Sequence, residues 1–274
     1  MRYNVLYYRP NRTVLSHKEE PDMIAFFDSG VGGITVLAQA LRLIRNKKFL
    51  YYADTVNAPY GVKPKNEVRE HIFRAADFIA EKNAEALVVA CNTATSVAIE
   101  DLRKRCSFPV IGMEPAVKPA VKDACGRRVL VFATNLTLRE SKFKDLVNKV
   151  DIRHCVDAVP LPGLVSFAEE MNFDPAAVSA YLKKEIAGLD PCAYGTVVLG
   201  CTHFPLFRKI IAGLFAPDVT IIDGAPGTVN RLQQLIQSVP LEEQTLEFYE
   251  SGRKLNDTEA VKYHTLLKIA GENN

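Results

Sequence analysis

The chain has 274 residues, 48% hydrophobic and 24% charged, with 34 basic against 32 acidic side chains and a formal charge of +2. These proportions fit a globular protein of one or two domains with sizeable cores, and the balanced charge, with no basic stripe, argues against nucleic acid or an anionic membrane as partner. No apolar run approaches the ~18 residues of a membrane span, and the N-terminus lacks a signal peptide's apolar stretch, so a cytoplasmic protein is expected.

Residues 1–22 are polar and aperiodic and read as an N-terminal extension with no assignable function. From Met23 onward, short runs rich in Val, Ile and Leu alternate with helical patterns. Strands are expected at 24–28, 49–54, 87–91, 109–113, 128–134, 152–159, 197–201 and 219–223, and helices at 34–44, 68–82, 97–105, 141–149, 175–189 and 204–214. Continuous apolar runs fit strands buried on both faces, and strand–helix alternation argues for an α/β fold with parallel sheets. In such sheets ligands bind beyond the carboxyl ends of the strands. Those ends read DSGVGG (28–33), ADTVNAPYG (53–61), ACNTATS (90–96), ATNLT (133–137), GCTHFP (200–205) and DGAPGT (223–228). Nearly all are small and polar, so backbone amides and hydroxyls converge there, with Thr134 among them.

DSGVGG precedes a helix and could hold an anion at the helix N-terminus. A dinucleotide loop is the competing reading, since Gly30 and Gly32 begin its pattern and Asp54 closes the next strand. Its third glycine position is Thr35, however, where close helix–strand packing calls for Gly or Ala. Tight-turn glycines with an N-capping Asp28 or Ser29 explain the glycines more simply.

Six cysteines, Cys91, Cys106, Cys125, Cys155, Cys192 and Cys201, are scattered, with no pair two or three residues apart. That spacing supports neither a zinc knuckle nor a dithiol redox motif, and no metal or other cofactor is expected. Most cytosolic cysteines are small buried hydrophobes. Two of these six share a setting, however. VVACNT and VVLGCTH each run an apolar strand into a cysteine and then a short polar residue. Two similar α/β lobes, each presenting one thiol to a shared cleft, would explain the repeat. Two facing thiols suit proton transfer at a stereocentre, where one base removes a proton from one face and a conjugate acid delivers one to the other. A thiol, with a reference pKa near ~8.5, can do this once its surroundings stabilise the thiolate.

DSGVGG, ADTVNAPYG, VVACNTAT and VVLGCTHFP, in that order, resemble the glutamate racemases of the cofactor-independent aspartate/glutamate racemase superfamily. The resemblance runs from Met23 to about Gly252. It implies two lobes with the site between them: a first lobe over 23–116, a second over 117–224, and a segment 225–274 returning to the first, with crossings near 115–121 and 224–227. It implies Cys91 and Cys201 as the catalytic acid/bases, Cys91 acting on D-glutamate and Cys201 on L-glutamate, with Asp28 assisting Cys91 and His203 assisting Cys201. Asp28, Ser29, Pro59, Tyr60, Gly61, Asn92, Thr93, Thr134 and Thr202 would surround the substrate. Asp54 and Glu169 match further family acids, although the segment LPGLVSFAE around Glu169 departs from the family pattern, as does Val56-Asn57-Ala58. The product would be D-glutamate for bacterial peptidoglycan and the cell shape it maintains. The partner is then a small molecule, with a homodimer common in the family. A relative acting on aspartate or another carboxylate, and a non-catalytic binding module on the same fold, are the competing readings. A dead enzyme would be free to lose either thiol.

Overall fold

The computed structural model describes residues 23–124, 126–236 and 243–273. The 1–22 extension and Cys125 lie outside them. In chain order the elements are β1 (Met23–Asp28), α1 (Ile34–Leu43), β2 (Lys48–Ala53), α2 (Lys65–Glu81), β3 (Ala84–Val89), α3 (Asn92–Arg105), β4 (Val110–Gly112), α4 (Val117–Asp123), β5 (Arg128–Ala133), α5 (Asn135–Arg139), α6 (Ser141–Val150), β6 (Val156–Pro160), α7 (Pro162–Glu169), α8 (Pro175–Glu185), β7 (Tyr194–Leu199), α9 (Arg208–Ala212), β8 (Thr220–Asp223), α10 (Ala225–Gln233), β9 (Thr245–Glu250), β10 (Arg253–Lys254) and α11 (Asp257–Glu272).

The strands form two sheets, ordered β10-β9-β2-β1-β3-β4 and β6-β5-β7-β8. All neighbours are parallel except the β9–β10 hairpin. The expected α/β class with two mainly parallel sheets is what the structure has. Within each sheet the same order recurs: β2-β1-β3-β4 is matched by β6-β5-β7-β8. In both, the chain leaves a central strand for one side and later returns to the other. That makes a switch point, where crevices open at strand carboxyl ends. Register carries the match to single residues. Phe27 pairs with Val89 and Phe132 with Leu199, so the residues two further on, Ser29 with Cys91 and Thr134 with Cys201, occupy corresponding places.

Burial follows from composition. β1, β5 and β7 are buried on both faces, as their unbroken apolar runs require. One apolar cluster packs α2 and α3 on one face of the first sheet, through Val68, Ile72, Ile79 and Leu102. A second packs α4 and α6 on the second sheet, through Val117, Ala120 and Phe143. The largest runs through both sheets, joining Ile24 and Phe26 to Leu130, Phe132 and Leu199, with α1 and the Tyr263 and Leu266 of α11 between.

Several elements differ from the sequence expectation. A helix not expected from the sequence, α10, begins at the Pro- and Gly-rich 224–227 stretch, where Pro226 falls at a position that needs no backbone donor. Residues 117–121 belong to α4. The expected helix 204–214 is a 3₁₀ turn over Phe204–Phe207 followed by the short α9. Strands β9 and β10 and helices α5, α7 and α11 were not expected. The start of α11 was readable: Asn256 and Glu259 form a reciprocal capping box.

Candidate active site

The strand ends bring eleven expected residues around one cavity of about 270 Å³: Cys91, Asn92, Thr93, Ser29, Pro59, Tyr60 and Gly61 from the first sheet's half, and Cys201, Thr202, His203 and Thr134 from the second's. A wider hollow of about 980 Å³, flanked by Arg42, Arg103, Arg208 and Arg231, holds neither thiol, so size alone does not mark the site. Asp28, Asp54 and Glu169 do not line the smaller cavity. They stand behind its wall, each bonded to a residue that does. Val62, Asn135, Gly163 and Ser166 also line it and were not anticipated. Gly163 and Ser166 come from α7, which follows β6; the strand-end rule applied to the PLPG stretch there would have found them.

Cys91 is the N-cap of α3. Its Sγ accepts the Ala94 N–H at 3.4 Å and lies 3.5 Å from the Ser29 hydroxyl. These contacts favour a thiolate, but burial outweighs them. Burial, and then the charge of Asp28, push the Cys91 thiol up to about 12. Asp28 itself is fully buried. Burial raises its carboxyl to about 6, against the pull of His203, the Gly30 N–H and the Thr202 hydroxyl. The Gly30 N–H donates to one carboxylate oxygen at 3.0 Å and Thr202 Oγ1 to the other at 3.0 Å. The cap of α1 is Gly33, with no side-chain bond, so Asp28 and Ser29 do not serve as its N-cap. Asp28 instead fixes the turn after β1 and reaches the second half of the molecule.

Cys201 has a different neighbourhood. His203 Nδ1 lies 3.5 Å from its Sγ, and His203 Nε2 lies 2.7 Å from Glu169 Oε1. Burial alone would lower the imidazole's pKa. The Cys201 and Glu169 charges overcome it and hold His203 well above its ordinary value. Glu169 is displaced the opposite way: burial would raise its carboxyl, but His203, the Val31 N–H and Lys262 bring it below the usual range. Glu169 Oε1 also accepts the Val31 N–H at 2.9 Å, and a Cβ on Gly30 would fall 1.8 Å from that oxygen. A side chain at position 30 would therefore have to displace the Glu169 carboxylate.

Thr93 and Thr134, both in the cavity lining, share a hydrogen bond of 2.9 Å across the two halves, with Thr137 bonded to both. Gly61 presses on the same place, since a Cβ there would meet Thr134 Cβ at 2.7 Å. Asn92 donates to the Met113 carbonyl at 3.3 Å and keeps an unpartnered Oδ1. Tyr60 donates its hydroxyl to Asp54 at 2.5 Å. Burial, and then Asp54, raise that phenol far above its usual range. Its proton thus stays on oxygen and points away from the cavity. Among the described residues no group of three or more His, Cys, Asp or Glu side chains is placed to hold a metal ion, and no helix is long and apolar enough to cross a membrane.

Residues 35–232 match the family model for Asp/Glu/Hydantoin racemases. Glutamate racemase 2 of Bacillus subtilis is 48% identical over 255 residues, 91% of this chain and 96% of that protein. The chain belongs to the glutamate racemases. The glutamate racemase of Halothermothrix orenii is 49% identical over 250 residues, 89% of this chain and 98% of the relative. Among solved structures, a glutamate racemase isoform from Bacillus anthracis matches with a TM-score of 0.74 at 30% identity, covering 85% of this chain and 88% of that one. The Escherichia coli glutamate racemase, solved with L-glutamate and the activator UDP-MurNAc-Ala, matches with a TM-score of 0.76 at 25% identity, covering 92% and 96%. Members of this family are amino-acid isomerases, and the relatives named here are bacterial.

Proposed function

We propose that this family member interconverts L- and D-glutamate by moving protons at Cα between Cys91 and Cys201, without a cofactor. The observation that carries the reading is that two buried thiols, from corresponding strand ends of two matched sheets, line one small cavity together with the hydroxyls of Ser29, Thr93, Thr134 and Thr202 and the Asn92 amide. A planar carbanion formed there has one sulfur on each face. Deprotonation by one thiolate and reprotonation by the other thiol inverts the carbon, and the enzyme ends with its proton on the opposite sulfur.

The surroundings suit the two charge states. A protonated His203 beside Cys201 supplies the positive charge that a thiolate there requires, and Glu169 holds that imidazolium in place. Cys91 begins as the proton donor. Turnover from L-glutamate then starts from Cys201 thiolate and Cys91 thiol. Turnover from D-glutamate starts from the reverse, with the Ala94 N–H and the Ser29 hydroxyl stabilising Cys91 as thiolate. The hydroxyls of Ser29, Thr93, Thr134 and Thr202, the Asn92 side chain and the backbone around Pro59–Gly61 are suited to hold two carboxylates. In a cavity with little water these groups act more strongly as charge builds on the carbanion.

The same reading takes residues 23–116 with 225–274 as one lobe and 117–224 as the other; sheet membership supports that division. It places the enzyme in the cytoplasm as a source of D-glutamate for peptidoglycan, acting as a homodimer. Incubation with L-glutamate in D₂O tests the reaction. Deuterium at Cα together with D-glutamate is expected. Unchanged L-glutamate with no deuterium would leave a binding module on this fold.

A further inference from the structure

The loop after β2 supplies Pro59, Tyr60 and Gly61 to the cavity, and its own bonds converge on Asp54, which takes the Asn57 amide and the Tyr60 hydroxyl. Its stem is held from the far end of the chain. Ser251 sits at the tip of the β9–β10 hairpin and is half-buried. Its N–H donates to the Ala53 carbonyl at 2.8 Å, which lays the hairpin tip over the end of β2. Its hydroxyl donates to Asp54 Oδ1 at 3.0 Å and accepts the Val56 N–H at 3.1 Å. The other Asp54 oxygen accepts the Tyr60 hydroxyl, and both accept the Asn57 amide, at 2.9 and 3.1 Å. One serine hydroxyl thereby completes a closed set of bonds that fixes both ends of the loop.

The backbone makes that serine conspicuous. The two hairpin-tip residues, Ser251 and Gly252, have φ of 44° and 93°. A two-residue hairpin of that shape favours Asn, Asp or Gly at its first position, since a side chain with φ above zero is strained. Serine gains nothing there as a turn residue. Its hydroxyl contacts are what distinguish it. The far end of the braced loop matters most, because Gly61 touches Thr134 with no room for a Cβ. A small shift of the stem changes the width of the cavity where the two halves meet.

We infer that Ser251 is a positioning residue for the substrate loop: acting through Asp54, it sets the distance between Tyr60–Gly61 and Thr134 and so the fit of the substrate's carboxylates. The inference rests on the racemase reading of the cavity. Its consequence is a binding effect more than a chemical one, because neither thiol nor its helpers touch Ser251.

Ser251→Gly is the informative change, since it removes the hydroxyl while relieving the backbone. The variant is expected to keep or raise its melting temperature. Hydrogen exchange in peptides covering 54–63 should quicken while β2 stays protected. KM for both enantiomers should rise roughly three- to tenfold with kcat within about twofold, the scale of one lost hydrogen bond only partly transmitted. Tyr60→Phe cuts the same set at its other end, so its effect and that of Ser251→Gly should be less than additive in the double variant. Unchanged exchange, or quickened exchange with unchanged KM, or strict additivity, each overturns the brace. A wild-type protein that does not turn over glutamate sinks the racemase reading instead, and the exchange experiment then decides the brace alone.

Discussion

The two thiols occupy matching places in matching sheets, yet the chain has solved the same problem twice by different means. Around Cys91 the help is local and neutral: a helix-cap amide and a serine hydroxyl. Around Cys201 it is relayed and charged: an imidazole, a glutamate behind it, and a backbone N–H from the other half behind that. The corresponding residues Ser29 and Thr134 also diverge. Ser29 serves its own cysteine, whereas Thr134 turns from Cys201 to bond Thr93 across the cleft. Duplicated strand order fixes where a thiol stands; the turn that follows decides what charge it can carry.

The largest expected effect tests what the two sides share. Cys91→Ala and Cys201→Ala should each lower racemisation by about 10⁴-fold or more, followed by circular dichroism, with the fold intact. Full activity after either change would end the two-base account. The next effects test how the sides differ. His203→Asn, and behind it Glu169→Gln, should reduce kcat from L-glutamate more than from D-glutamate, with losses of roughly 10²–10⁴-fold for His203. The enantiomers are equal in energy, so kcat/KM must stay equal in the two directions and the KM values must shift to match. Asp28→Asn should affect the two directions more evenly, because Asp28 bonds neither thiol and instead holds the Gly30 turn on one side and Thr202 on the other. Equal losses in both directions for the His203 and Glu169 variants would show that the supports act on the site as a whole.

A smaller effect concerns stability. Asp28 titrates in the folded protein at about 6, above its ordinary 3.8. The folded state therefore holds this proton more tightly than the unfolded chain does. The stability that protonation confers is complete below about pH 3.8 and is lost as pH rises through about 6. Above that, the buried charge costs roughly 2–3 kcal/mol. Asp28→Asn should accordingly resist denaturant better than the parent at pH 7–8, with the gap closing toward pH 4. A gap that does not vary with pH would mean that packing, not charge, sets the difference. Smallest of all, changing Cys106, Cys125, Cys155 or Cys192 to Ser should leave activity within about twofold and cost at most a few kcal/mol. Exhaustive dialysis against chelator should likewise leave activity in place.

The sequence made the thiol ends of the two halves legible because strand-end chemistry is written in contiguous residues. VVACNT and VVLGCTH each spell out strand, cysteine and polar turn. Strands β1, β5 and β7 were equally plain, being short apolar runs buried on both faces. What stayed hidden depended on partners distant in sequence. Glu169 could be named only by resemblance, since its contact with His203 is made by packing α7 against the turn after β1. Asp28 was expected to assist Cys91, and only the structure reveals its bond to Thr202. Strand β9, bordered on its outer side only by the two residues of β10, has a weak alternating pattern, TLEFYE, that the sequence marks poorly. Helix α10 was obscured because Pro and Gly at a helix start look the same as Pro and Gly in a turn.

The placement of β9 has a consequence for how the protein is made. β9 borders β2 along its whole length, from Lys48 with Thr245 to Ala53 with Glu250. During translation the first sheet therefore emerges with β2 as an open, largely apolar edge. At ~5–20 residues per second, that edge waits on the order of 10–40 s for its neighbour. Throughout that interval a nascent chain on one ribosome presents an unpaired ladder to the next chain along the same message, the geometry from which strand-swapped aggregates grow. A truncated product ending before β9 never outgrows the hazard, so premature stops late in the gene should yield insoluble protein even though both cysteines are already in place.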